Sequence, residues 1–271
     1  MNTLFEIIVG GEDLENEVAA VEAALDEITR IETVLSRFDP ASEVARVNRE
    51  AYQHPVLISY ELLEILEMCR NGWERTLGYF DITSGSNILD KSKTDFESVK
   101  IDSAARNISF TAPEVKLNFG AFGKGYALDC AARLLKENGV QNALLHGGTS
   151  SVLAIGNPAR VGLRNPWIAT EEVESVLLWD QGLSSSASFH DGQSTSDIIN
   201  PFSQISLRED AACVVISATA SEAEIFSTAL LSMGQTKAER FCSENPTVNR
   251  QVLWMDKNNS KPRLEWLTRT L

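Results

Sequence analysis

The chain has 271 residues, 43% hydrophobic and 23% charged, so it can form one large domain with an ordinary buried core. Its formal net charge of -14 disfavours nucleic-acid backbones and anionic membrane surfaces, but leaves room for a small anionic ligand held by a local cation or helix start. Three histidines argue against a multi-histidine metal centre, and four scattered cysteines without a CxxC pair read as small buried side chains.

The start of the chain lacks a basic segment followed by an apolar one, and no run approaches about eighteen apolar residues. Neither a secretory signal nor a membrane span is expected, and a cytoplasmic setting is the default expectation.

In chain order, residues 3–9 read as a strand ended by Gly10-Gly11. A long helix follows over 15–35, with Val18, Val21, Leu25, Ile28, Ile31 and Leu35 at helical spacing. Residues 42–48 suit a short turn or helix. A second long helix spans 59–70, with Asn71-Gly72 as its expected stop. Residues 79–92 are small and polar and read as a surface loop.

Residues 115–119 alternate and read as a strand entering Gly120-Ala121-Phe122-Gly123-Lys124-Gly125, after which 126–138 read as a helix closed by Gly139. Strands are expected at 143–145, 151–155, 159–163 and 174–179, close enough for antiparallel hairpins. Residues 211–218 read as a buried strand. A helix over 221–232 ends at Gly234, and Ser221 with Glu224 fits a capping box. A last strand is expected at 251–255. Helices alternating with mostly antiparallel strands indicate an α+β fold.

The chemistry centres on Gly120, Gly123, Gly125 and Lys124. Glycines permit tight turns and close backbone approach, free N–H groups at a helix start attract an anion, and lysine adds a positive charge. The spacing is neither the GxxxxGK[ST] phosphate loop nor a full GxGxxG fingerprint. On these grounds alone, nucleotide binding and a tight strand-to-helix turn both suit the segment.

The run from Leu117 to Asp129, LNFGAFGKGYALD, resembles the strand–glycine-loop–helix signature of the FAD:protein FMN transferase family. The segment 139–148, GVQNALLHGG, and Gly156 resemble its next motif. Leu35-Ser36-Arg37-Phe38 with Ser42-Glu43 and Asn48 resembles the family's LS…SE…N element, and Tyr79-Phe80-Asp81-Ile82-Thr83 its AFDIT element. Met1-Asn2-Thr3 resembles the MGT start, and residues 223–229 the ADAxxTA helix. The likeness spans almost the whole chain in motif order.

The resemblance implies a single domain over 1–271 with mixed, largely antiparallel sheets and packed helices. It implies Mg²⁺-dependent transfer of the FMN half of FAD to a Thr or Ser hydroxyl of a partner flavoprotein, releasing AMP. Hydrolysis of FAD, or FAD binding without turnover, are the alternatives. By the same resemblance Met1, Phe38, Asn48, Tyr79, Phe80 and Asp81 fall at flavin- or adenine-side positions, and Asn118, Lys124 and Ile199 at further cofactor positions. Lys124 and Asp197 fall at catalytic positions. The Ala121 carbonyl, Glu224, Ser227 and Thr228 fall at metal positions.

Each has a plainer reading: Phe38 and Phe80 as core aromatics, Asn48 as a turn cap, Lys124 as a solvated lysine, Glu224 as a capping residue. The sequence also departs from the family pattern. Glu224 replaces an Asp, Asn118 an Asp, and 185–189 reads Ser-Ser-Ala-Ser-Phe where the family has Thr-Ser-Gly-x-Tyr. In the His-Ile-x-Asp-Pro-x-x-Gly element, Asp197, Asn200 and Gln204 replace the His, Asp and Gly. Asp197 is a weak base at neutral pH, with a reference pKa of about 4. His190 lies nearby as a substitute, although its register differs.

Overall fold

The computed structural model describes residues 3–10, 14–84, 95–188, 196, 198–246, 250–257 and 262–268. Its first half runs β1 (Phe5–Val9), α1 (Leu14–Leu35), α2 (Glu43–Glu50), β2 (Val56–Leu57), α3 (Tyr60–Arg75), β3 (Val99–Asp102), β4 (Asn107–Phe110) and α4 (Gly123–Glu137). Then come β5 (Ala143–Gly147), β6 (Ser151–Ile155), β7 (Ala159–Asn165), β8 (Ile168–Leu178), β9 (Gly182–Ala187), β10 (Ile199–Asn200) and β11 (Ile205–Ser206). The chain finishes with β12 (Ala211–Ser217), α5 (Ala220–Met233), α6 (Gln235–Glu244), β13 (Gln251–Asp256) and β14 (Arg263–Thr268).

The fold is the expected α+β type. A seven-stranded antiparallel sheet has the order β1-β5-β6-β9-β12-β13-β14. Helices α4 and α5 pack on one face, with α1 against α4. The antiparallel β7–β8 hairpin contributes Val161, Leu163, Val176 and Leu178 to a second core on the other face. Consequently β12 is buried along its whole length, which explains its unbroken apolar reading. Smaller sheets are β2-β4-β3 and β10-β11. The four cysteines are free and buried, as their spacing suggested. No helix among the described residues is long and apolar enough to cross a membrane.

Several local expectations change. Helix α1 buries Ala20, Ala24, Ile28, Ile31 and Leu35, while Val18 and Leu25 face solvent. Small alanines at i, i+4 spacing let α1 approach α4 closely, outweighing the larger but misaligned apolar side chains. Helix α3 does not stop at Gly72, because Ile225 and Phe80 pack where its side chain would be, within 3.0–3.2 Å of a built Cβ. It ends instead before Gly78, which has φ +82°. Residues 115–119 are not a strand. Val115, Leu117 and Phe119 point inward, but the backbone is held by the Asn48 side chain and by the Ile82 carbonyl.

The capping box shifts as well. The N-cap of α5 is Thr219, whose hydroxyl accepts from the Glu222 N–H at 3.1 Å. Asp129 of α4 accepts from the N–H groups of Ala220 and Ser221 at 2.8 and 2.9 Å. Glu224 therefore lies one turn inside the helix with no capping duty.

Candidate functional site

Helix α4 starts at Phe122, where no side-chain hydrogen bond caps it. Lys124 sits in that first turn, close under Gly147, where a built Cβ would lie 3.6 Å from the Lys124 Cβ. Before the helix, Asn118 Oδ1 accepts from the Gly120 N–H at 3.1 Å, shaping the loop that carries half-buried Ala121.

The Lys124 ammonium lies 3.0 Å from Glu224 Oε1, their side chains being 21% and 3% exposed. The fully buried Ser151 hydroxyl donates to the same oxygen at 2.6 Å. Glu224 Oε2 is buried without a hydrogen-bond partner. The carboxylate thus joins α5, α4 and the start of β6.

Ser227 and Thr228 follow Glu224 at i+3 and i+4, on the same helical face. Opposite them β9 presents Ser184 and Ser186. Ser227 donates to Ser184 at 3.0 Å, and Ser186 lies 2.9 Å from Ser227 and 3.4 Å from Thr228. Ser151 and Ser184 are cross-strand partners, so a row of hydroxyls faces Glu224, Ser227 and Thr228 of α5.

The flavin-side positions spread further. Asn48 donates to the Leu117 carbonyl at 3.0 Å and accepts from its N–H at 2.7 Å, imitating a neighbouring strand rather than capping a turn. Asn48→Ala leaves both backbone groups unpaired and is expected to cost about 2–4 kcal/mol. A thermal melt of the ligand-free protein checks this, and an unchanged midpoint contradicts the clamp.

Phe80 is buried in the main core and offers no open ring face, whereas Phe38 is 82% exposed with the Arg37 guanidinium 4.7 Å from its ring. Tyr79 packs edge-on against exposed Phe202 at 4.7 Å, and its hydroxyl accepts from Lys237 at 2.9 Å. Ile199 is half-buried in β10. Its neighbour Asn200 donates to the Ser232 carbonyl of α5, and its oxygen accepts from the N–H groups of Phe202 and Ser203. Met1, Asp197 and His190 lie outside the described residues.

Asp81 accepts from the Thr83 N–H and hydroxyl, both at 2.7 Å, and from the Phe96 N–H at 3.2 Å. Burial pushes its carboxyl up from 3.8 to about 6 despite those bonds. Because the folded value exceeds the unfolded one, protonation stabilises the fold. That contribution is complete below about 4 and lost as pH rises through about 6. The stability of the native protein relative to Asp81→Asn should therefore fall by about 2–3 kcal/mol across this window. Urea titrations of both proteins at stepped pH read it, and a constant difference contradicts it.

A model of the ApbE family matches residues 1–252. The chain belongs to the ApbE family. The FAD:protein FMN transferase of Klebsiella pneumoniae (strain 342) is 25% identical, over 90% of this chain and 79% of its own length. The protein of the same name from Salmonella typhimurium is 25% identical over 88% and 78%. Among solved structures, the flavin transferase ApbE of Vibrio cholerae superposes with a TM-score of 0.80 at 20% identity, covering 98% of this chain and 94% of its own. The ApbE protein of Thermotoga maritima superposes with a TM-score of 0.86 at 20% identity, covering 97% and 93%.

Within this ApbE-family chain, the donors at the site suit a hard divalent cation. They are a buried carboxylate oxygen without a hydrogen-bond partner on Glu224 and the hydroxyls of Ser227 and Thr228 one turn on. No group of three or more His, Cys, Asp or Glu gathers among the described residues. Sequence reasoning missed Ser151 and Ser184. The available signal was a run of hydroxyl residues, Thr149-Ser150-Ser151, directly after a Gly-Gly pair and leading a wholly apolar strand.

Proposed function

We infer that this chain moves the FMN half of FAD onto a Thr or Ser hydroxyl of a partner flavoprotein and releases AMP. Family membership supports the reading, and one observation carries it to this site: the buried Glu224 carboxylate keeps one oxygen open beside Lys124 at an uncapped helix start. Such a site suits a diphosphate together with a divalent cation.

The acceptor oxygen attacks the FMN phosphorus, the phosphoanhydride bond breaks, and AMP leaves with the bridging oxygen. The first-turn N–H groups of α4 beyond Gly123, whose own N–H donates to the Phe119 carbonyl, and the Lys124 ammonium hold the diphosphate. Asp197 takes the hydroxyl proton. Glu224, Thr228 and the Ala121 carbonyl would hold Mg²⁺, with Ser227 supporting Thr228 beside Ser186. The ion, when bound, offsets charge on the diphosphate oxygens. Tyr79 and Phe38 are the ring-bearing contacts of this reading, and Asn48 and Asn118 shape the loop that receives the phosphates. The whole chain acts as a single domain.

The test is incubation of the protein with FAD, Mg²⁺ and a Thr-containing acceptor flavoprotein, followed by intact mass and AMP chromatography. One FMN per acceptor with equimolar AMP is expected. AMP without labelled acceptor would turn the reading into FAD hydrolysis. Unchanged FAD beside folded protein and a competent acceptor would overturn it.

A further inference from the structure

We propose that Lys124 makes the metal seat at Glu224 conditional on a bound diphosphate, so that the anion enters first and the cation second. The inference rests on the functional reading above and adds a role that the reading does not require.

Lys124 Nζ and Ser151 Oγ both engage Glu224 Oε1, while Oε2 stays buried and unpartnered. Ser151 is fully buried and fixes the carboxylate from the sheet side, so the open oxygen is held in one place. The charges decide what can use it. Glu224 and Lys124 cancel, and Asp129, a carboxylate that interacts with Glu224, is committed to the N–H groups of Ala220 and Ser221. Burial also raises the Asp129 pKa, and Glu224 adds to that rise.

A divalent ion arriving alone would meet a neutral pair, with the ammonium 3.0 Å from one oxygen of the Glu224 carboxylate. Water reaches the 21% exposed Lys124 side chain and screens that repulsion in part, yet at such short range it still opposes a second cation. A diphosphate reverses the balance, since its negative charges satisfy the ammonium and the incoming ion together. Side-chain length contributes as well: glutamate spans from α5 to both Ser151 and Lys124.

The experiment follows Mn²⁺, a hard divalent probe, by the paramagnetic resonance signal of the free ion, using the full chain with and without FAD. The unaltered protein should take up Mn²⁺ weakly alone and tightly with FAD. Lys124→Met should bind Mn²⁺ without FAD roughly 10- to 100-fold more tightly than the unaltered protein. Lys124→Gln, which keeps a hydrogen-bond donor for Glu224, should behave alike and serves if the methionine variant does not fold. If FAD promotes Mn²⁺ uptake by the unaltered protein, yet neither variant gains affinity without FAD, the role given to Lys124 is overturned while the metal site stands. If the unaltered protein takes up no Mn²⁺ even with saturating FAD, the metal seat itself falls and this proposal with it.

Discussion

Gly125→Ala should destabilise the protein by about 3 kcal/mol or more and abolish turnover, although helix propensity alone predicts a gain of about 1 kcal/mol. The added methyl carbon would stand 2.5 Å from the Ala220 carbonyl oxygen, 2.6 Å from its carbon and 2.7 Å from the Ser221 nitrogen. These are backbone atoms at the start of α5, and no rotamer change moves them aside. On the other side, a methyl at Gly182 of β9 would collide with the Ala220 nitrogen. Ala220 is therefore wedged between two glycines. Asp129, one turn along α4 from Gly125, fixes the same point through two hydrogen bonds. Pushing α5 away would break these bonds and carry Glu224 off Ser151 and Lys124. Overpacking wins over propensity because the neighbour is rigid. Urea denaturation and FMN-transfer assays measure both effects, and native stability in Gly125→Ala would falsify the wedge.

What the sequence revealed and what it hid follow from the same physics. Strands β6 and β12 were legible because both faces are buried and apolar runs mark them. Helix α5 was legible through its composition and Gly234. Strand β9 escaped notice because its centre is Ser184-Ser185-Ser186, and serine favours turns in isolation. In the fold those hydroxyls meet Ser227 and Thr228 of α5, so a tertiary partner overrides the local preference. The opposite error occurred at 115–119, where alternation was real but the hydrogen-bonding partner was the Asn48 side chain, from far along the chain. The role of Glu224 was ambiguous for a definite reason. Thr219-Ala220-Ser221-Glu222 and Ser221-Glu222-Ala223-Glu224 both fit the capping pattern. Asp129 fixes the helix start and so selects the first, which frees Glu224 to face inward. The motif resemblance singled out Lys124, Glu224, Ser227 and Thr228 as candidates, whereas the hydroxyl row beside them needed the fold.

Glu224→Gln should lower FMN transfer by about 100-fold or more while leaving the protein folded. The amide matches the carboxylate in shape and can still accept from Ser151 or Lys124. Its other end becomes an NH₂ donor, which cannot ligate a cation and repels one. Lys124 loses its counter-charge, but its side chain is 21% exposed and water can solvate the ammonium, so the stability cost stays modest. Glu224→Asp tests a different property, since it keeps the charge and shortens the reach. A shorter side chain matches the family residue, yet here the glutamate contacts at 2.6 and 3.0 Å depend on the extra methylene. Losing the Ser151 bond leaves the carboxylate unanchored, so Glu224→Asp should lie between the native protein and Glu224→Gln, with a raised Mg²⁺ requirement. AMP release and acceptor labelling across a Mg²⁺ titration separate the three proteins. Equal Mg²⁺ response in the native protein and Glu224→Gln would remove Glu224 from the metal seat and leave its carboxylate only as the partner of Lys124.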